Sequence, residues 1–189
     1  LEKKNGKNKT LPTYANKKDR RPNGTVENTS QNRSRHIIEN MLYMVELDAV
    51  NVAVSRSIFC ERDDGVVIHG NISEHDFLAK ALPKDWPGEY DVIMGNPPYN
   101  KDGVGKGGGV FWVEFIDNSI PLLNNNGLLH FIHPKGWRKP YKEGDRRTSA
   151  GRIWYDFKRL GKLEYENISD EAPKNFPKVD YYVWRKTTK

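Results

Sequence analysis

Asp91-Val92-Ile93-Met94-Gly95-Asn96-Pro97-Pro98-Tyr99 is the stretch on which the reading of this sequence turns. Val92-Ile93-Met94 is an apolar run of strand type, preceded by the turn residues Asp85-Trp86-Pro87-Gly88. Two consecutive prolines cannot continue a hydrogen-bonded ladder, so the strand stops at Asn96-Pro97-Pro98. They also fix φ near −65° and remove two backbone donors, which makes the turn rigid. Such a turn holds its carbonyls and the flanking Asn96 and Tyr99 side chains in one orientation. An amide oxygen and the Pro97 carbonyl aimed at one point form an acceptor pair for an exocyclic amino group, and the adjacent ring offers a stacking face for a planar base. A purely structural turn with a packed tyrosine would account for Pro-Pro alone.

Outward from this turn the chain alternates strand-like and helix-like runs. Upstream, Leu42 to Leu47 reads as a short strand ending in acid, and Asp48 can cap a helix with Val50, Val54 and Ile58 on one face. Val66 to His69 reads as a second strand, and Tyr90 to Met94 as the third. Downstream, Phe111, Phe115, Ile116 and Leu122 recur at helical spacing, with Pro121 marking the end region. Asn124-Asn125-Asn126-Gly127 then turns into the strand Leu128 to Ile132. Ile153, Phe157 and Leu160 mark another helix with Gly161 as its cap, and Leu163 to Ile168 with Val179 to Trp184 form a closing pair of strands. This alternation predicts an α/β domain with a largely parallel sheet, in which ligands bind at the carboxyl ends of strands.

Composition narrows the class. The 189 residues are 36% hydrophobic and 30% charged, with a net charge of +6, as in a globular protein. No apolar run reaches the roughly 20 residues needed to cross a bilayer, so no membrane partner is expected. The one cysteine, Cys60, cannot form an internal disulfide, and an intracellular, cytoplasmic location is the default, with a nucleoid or viral setting compatible. Residues 1 to 21 carry eight Lys/Arg and two Asp/Glu, which accounts for the whole surplus. The polar stretch 1–34 is expected to be a basic flexible segment, ahead of a catalytic domain over 35–189. Within the neutral remainder, Lys135 to Lys162 holds ten basic and three acidic residues. Arg146, Arg147 and Arg152 in this stretch are the candidate phosphate contacts.

On these residues the chain resembles the catalytic domain of S-adenosylmethionine-dependent DNA adenine-N6 methyltransferases, the restriction-modification and phage or viral type, from about His36 to Lys186. The resemblance implies a Rossmann-like methyltransferase sheet, mostly parallel with a closing antiparallel strand, and S-adenosylmethionine as cofactor. Asn96-Pro97-Pro98-Tyr99 matches the family's catalytic motif. Val45-Glu46-Leu47-Asp48 is similar to its second motif, which implies that Glu46 binds the cofactor ribose, and a carboxylate suits two vicinal hydroxyls. For the acid that meets the cofactor adenine two alternatives stand: Asn71 has the better distance from Glu46, Asp76 the better residue type, and the distance argument favours Asn71. His133-Pro134 followed by Trp137 resembles the loop beneath the target base, and Phe176 in Asn175-Phe176-Pro177 the second wall around it. The partner so implied is DNA.

The family's first motif, a Gly-rich turn that closes a central strand and cradles the methionine part of the cofactor, has no counterpart in residues 1–40. Together with the start at Leu1, this leads to the expectation that the chain is incomplete, and that an upstream segment or separate chain supplies the missing central strand. The other readings are a protein glutamine methyltransferase, whose family shares the Asn-Pro-Pro-Tyr turn, and a degenerate DNA-binding or scaffold domain. Gly103 to Gly109 lacks the Lys-Ser/Thr ending of a phosphate loop and reads as a lid after the catalytic turn. The five histidines have no paired metal spacing, so no metal is expected.

Overall fold

The computed structural model describes residues 30–61, 65, 67–79, 81–99, 111–135, 137–138, 149–168 and 179–187. Gly103 to Gly109, Arg146, Arg147 and Phe176 lie outside the described residues. The chain divides into two compact units, Leu1–Trp86 and Pro87–Lys189.

The first unit opens with helix α1, Ser30–Asn40, which begins inside the stretch expected to be flexible. Strand β1, Tyr43–Glu46, leads through Asp48 into helix α2, Ala49–Cys60. Asp48 is an N-cap of extended backbone whose Oδ1 accepts the N–H groups of Val50 and Asn51 at 2.8 and 3.0 Å. That satisfies two of the donors a helix start leaves over. Strand β2 is Asn71–Glu74 and pairs in parallel with β1, Tyr43 opposite Asn71 and Glu46 opposite Glu74. The second strand is therefore not Val66 to His69: Val67 makes only an isolated antiparallel bridge to Glu61. The correction has a local cause. Ile68 is turned inward by the hydrogen bond of its N–H to the Cys60 carbonyl, and the chain is still recrossing the end of α2 at that point. Val52, Cys60 and Ile72 form the small core, with Met44 packed against it.

The second unit is a four-stranded sheet in the order β3-β4-β6-β5. Its strands are β3, Tyr90–Gly95, β4, Leu123–Pro134, β5, Gly161–Ile168, and β6, Val179–Lys186. β3 and β4 are parallel, and β6 runs antiparallel to both β4 and β5, so the final strand alone is reversed. Helix α3, Phe111–Leu122, keeps Pro121 in its last turn, and helix α4, Ser149–Leu160, precedes β5. The Asn-rich turn lies within β4 as an irregularity: Asn126 takes φ 64°, and the pairing jumps from Tyr90–Leu123 to Val92–Leu128. A Cβ on Gly127 would stand 2.9 Å from the Asn124 carbonyl oxygen, so glycine is what lets the chain close there.

One face of this sheet carries the core. Alternation along β4 and β6 buries Leu129, Phe131 and His133, and Asp180, Tyr182 and Trp184. They pack with Trp112, Val113 and Ile116 of α3 and with Ile153 and Phe157 of α4. Trp184 stacks on Phe157 at 4.9 Å and donates its indole N–H to the Phe157 carbonyl at 3.0 Å. Gly161 admits that ring, because a Cβ there would overlap the Trp184 indole and the Arg185 carbonyl.

Among the described residues β1 has one strand neighbour and β3 has one. Apolar surface accompanies these open edges. On α2, Val50, Val54 and Ile58 are 69%, 51% and 66% exposed, so the expected stripe exists but faces away from the core. On β3, Val92 and Met94 are also exposed.

Candidate active site

At the carboxyl end of β3, Gly95 pairs with Phe131 of β4, and a Cβ on it would lie 3.3 Å from the Phe131 ring. The Asn96 to Tyr99 turn thus leaves the strand directly over a buried aromatic. Pro97 is buried and Tyr99 half-buried, while Asn96 and Pro98 are exposed. Neither the Asn96 amide nor the Tyr99 hydroxyl has a partner among the described residues. An oriented acceptor with unspent hydrogen-bonding capacity is what capture of a substrate amino group requires.

In the parallel neighbour, the turn after β4 is held from below. Trp137 is 1% exposed, packed against Tyr182, Phe157 and Trp154, and donates its indole N–H to Asp180 Oδ2 at 3.2 Å. The expectation that Trp137 lies against a substrate base is corrected: the ring is a core anchor with no face left to offer. Arg138 Nε donates to the same Asp180 oxygen at 2.9 Å, and Nη1 to Glu166 Oε2 of β5 at 2.7 Å. His133 stacks on Trp112 at 4.1 Å, donates from Nδ1 to the Pro134 carbonyl at 3.1 Å and accepts the Tyr182 hydroxyl on Nε2 at 3.1 Å. Burial, with a smaller contribution from the Arg138 charge, outweighs the Pro134 hydrogen bond and lowers the His133 pKa to about 4. Burial likewise raises that of Tyr182, aided by the Asp180 charge, so the phenol stays protonated. This polar layer was not anticipated from sequence. Its signal was present: the alternation that turns Tyr182 and Trp184 inward turns Asp180 inward too.

Arg152 is also placed differently from expectation. Its guanidinium is bound by Asp117 of α3 and by Asp156 one turn on, at 2.8 Å for the latter, and the Asp117 hydrogen bond chiefly raises its pKa. It is a clamp between α3 and α4 rather than a cation directed at phosphate. Lys158 lies over the Trp154 ring at 4.5 Å, and Arg159 pairs with Asp156.

In the first unit, Glu46 ends β1, and its Oε1 accepts the Asp48 N–H at 2.9 Å. Oε2 has no partner among the described residues, which suits it to ribose hydroxyls. The shift of β2 to Asn71–Glu74 puts the two adenine candidates at opposite ends of the strand. Asn71 opens the strand at its amino end and donates its amide to the Glu39 and Leu42 carbonyls at 3.0 and 3.2 Å, tying α1 to the sheet. Asp76 lies beyond the carboxyl end, with Oδ1 taken by the Leu78 N–H at 2.9 Å and Oδ2 without a partner among the described residues. The residues present therefore fit the adenosine half of S-adenosylmethionine. No Gly-rich turn for its methionine half occurs among the described residues. Nor does any group of three His, Cys, Asp or Glu gather there as a metal site, and no helix there is long and apolar enough to cross a membrane.

Residues 13–151 match the Eco57I restriction-modification methylase family. The chain belongs to that family. Its cofactor is accordingly S-adenosylmethionine. Among solved structures, the type I restriction enzyme EcoKI M protein superposes with TM-score 0.53 at 14% identity, over 85% of this chain and 34% of that one, and shares the fold. TrmN from Thermus thermophilus (TM-score 0.46, 16% identity, 77% and 36% covered) and an rRNA methylase from Streptococcus thermophilus (0.48, 10%, 83% and 81%) are also similar. The chain spans about a third of the EcoKI M protein and of TrmN. No curated protein matches it significantly. The α/β architecture, a mostly parallel sheet closed by a reversed strand, is as expected, and the EcoKI M protein shares it.

Proposed function

We propose that the protein transfers a methyl group to the N6 amino group of adenine in DNA, in a restriction-modification setting. The observation that carries this reading is the rigid Asn96-Pro97-Pro98-Tyr99 turn at a strand's carboxyl end, with an unspent amide and an aromatic ring side by side. Asn96 Oδ1 and the Pro97 carbonyl accept the two N–H bonds of the amino group and direct its lone pair out of the base plane. Tyr99 stacks on the base, which has left the duplex, and Phe176 closes its other face. Glu46 takes the ribose hydroxyls and Asp76 the adenine amino group of S-adenosylmethionine, which supplies an electrophilic methyl group on a sulfonium. Arg146 and Arg147 serve as phosphate contacts.

The methionine half falls to a Gly-rich strand-helix segment other than the described residues, docked on the first unit. Support comes from the open edge of β1 and the bare Val50, Val54 and Ile58 stripe. Parallel strands are ordinarily covered on both faces, and burying three such side chains contributes on the order of 5 kcal/mol.

Asn96→Ala and Tyr99→Ala test the core of this reading. Loss of a preorganised acceptor costs about 2.7 to 4 kcal/mol, a rate reduction of about 10²- to 10³-fold. Cofactor affinity should be retained in both. Unchanged methyl incorporation into DNA would remove the turn from the chemistry.

A further inference from the structure

We propose that Asp180 is a positioning residue for the substrate side of the site: through Trp137 and Arg138 it fixes the turn after β4 next to the Asn96 to Tyr99 turn. The inference rests on the methyl-transfer reading above. β3 and β4 are adjacent parallel strands: β3 ends at Gly95 opposite Phe131, and β4 runs three residues further, to Pro134, so the Asn96 to Tyr99 turn leaves the sheet beside the last residues of β4 that lead into its turn.

Asp180 is 0% exposed and sits opposite His133 in the antiparallel pair of β4 and β6. One of its oxygens receives both the Trp137 indole N–H and the Arg138 Nε–H. Two successive residues of the turn are thereby tied to one atom in the sheet, and Glu166 of β5 holds the far side of the guanidinium. Arg138 also lies 5.0 Å from the Trp137 ring centroid, which locks the two side chains to each other.

The arrangement is a poor one for stability alone. Among the described residues, Asp180 Oδ1 and Arg138 Nη2 are both buried without a hydrogen-bond partner. A buried ion pair is commonly matched or bettered by apolar residues of similar volume, and leaving two polar atoms unsatisfied adds to the cost. Tyr182, Trp184, Phe157 and Trp112 already supply an apolar environment that such residues could complete. What the charged pair provides instead is one defined position for the turn.

Asp180→Asn and Trp137→Phe test this on the intact protein. Asparagine keeps an acceptor for the indole but loses the charge, and phenylalanine keeps a ring but loses the N–H. The expected result is faster hydrogen exchange confined to residues 134–138, with a KM for DNA raised at least fivefold and an unchanged dissociation constant for S-adenosylmethionine. A purely structural role would instead speed exchange through β4, β6 and α4 and leave KM per folded molecule unaltered. That outcome, or exchange unchanged at the turn, overturns the proposal. If Asp180→Asn does not fold, Trp137→Phe decides alone. Asn96→Ala serves as the control: an active Asn96→Ala protein removes the Asn96 to Tyr99 turn from the chemistry and with it the reading this inference rests on, whereas an inactive one beside unaffected Asp180 and Trp137 variants refutes only the positioning role.

Discussion

Acid should loosen the second unit through one identifiable group, His133. The imidazole is 0% exposed, stacked on Trp112 and hydrogen-bonded at both nitrogens as the neutral tautomer. Its pKa is about 4 in the folded protein against 6.5 as the ordinary value. The group is held neutral by folding, so between those values the unfolded chain binds more protons than the native one, and stability falls as pH falls. Its contribution is intact above about pH 6.5, declines through the window and is lost below about pH 4. A difference of about 2.5 units at 1.36 kcal/mol each gives about 3 kcal/mol. His133→Gln keeps a donor and an acceptor without a titrating ring. Urea unfolding followed by tryptophan fluorescence reports on this region, because Trp112, Trp137, Trp154 and Trp184 all belong to the second unit. Wild type should lose about 3 kcal/mol more than His133→Gln between pH 7 and pH 4. Parallel pH profiles for the two proteins would refute the reasoning.

Three further outcomes follow from the placement of charges and apolar surface. Arg146→Ala with Arg147→Ala should flatten the salt dependence of DNA binding by about 0.9 per lost phosphate contact. Arg152→Ala should leave that slope unchanged while lowering the unfolding midpoint, since it removes the clamp between Asp117 and Asp156; a flattened slope in a salt titration would restore Arg152 to the DNA surface. Val54→Asp with Ile58→Asp should barely alter the stability of the first unit, because both side chains are exposed, yet weaken S-adenosylmethionine binding at least tenfold by blocking the docked segment. Calorimetric titration with unaltered affinity would leave that face without the role assigned to it.

Most of the architecture is legible in the sequence because its signals are local. The Pro-Pro turn ends β3 where it must, Asp48 caps α2, and the alternation in Leu128 to Ile132 and Val179 to Trp184 marks the two long strands. What sequence reading missed depends on partners far along the chain. Val66-Val67-Ile68 has the stronger strand composition, yet Asn71–Glu74 forms the strand, since Asn71 can clip the end of α1 and Ile72 can reach the core. That shift moves Asn71 from the carboxyl to the amino end and leaves Asp76 beyond the carboxyl end, which is why the proposal assigns the cofactor adenine to Asp76. Trp137 follows the same logic, because nothing within the turn reveals that Asp180, forty-three positions on, receives its N–H. The spacing of Val50, Val54 and Ile58 marks an apolar face, but periodicity does not say what covers it.

The methylated atom is the most direct test of the central claim. The intact protein is incubated with methyl-labelled S-adenosylmethionine and DNA, RNA or a release-factor-type protein, and the products are digested and resolved by mass spectrometry. N6-methyladenine should appear in the DNA with the wild-type protein and be absent with Asn96→Ala. Label on RNA or on a glutamine side chain, with the DNA unmodified, would contradict it.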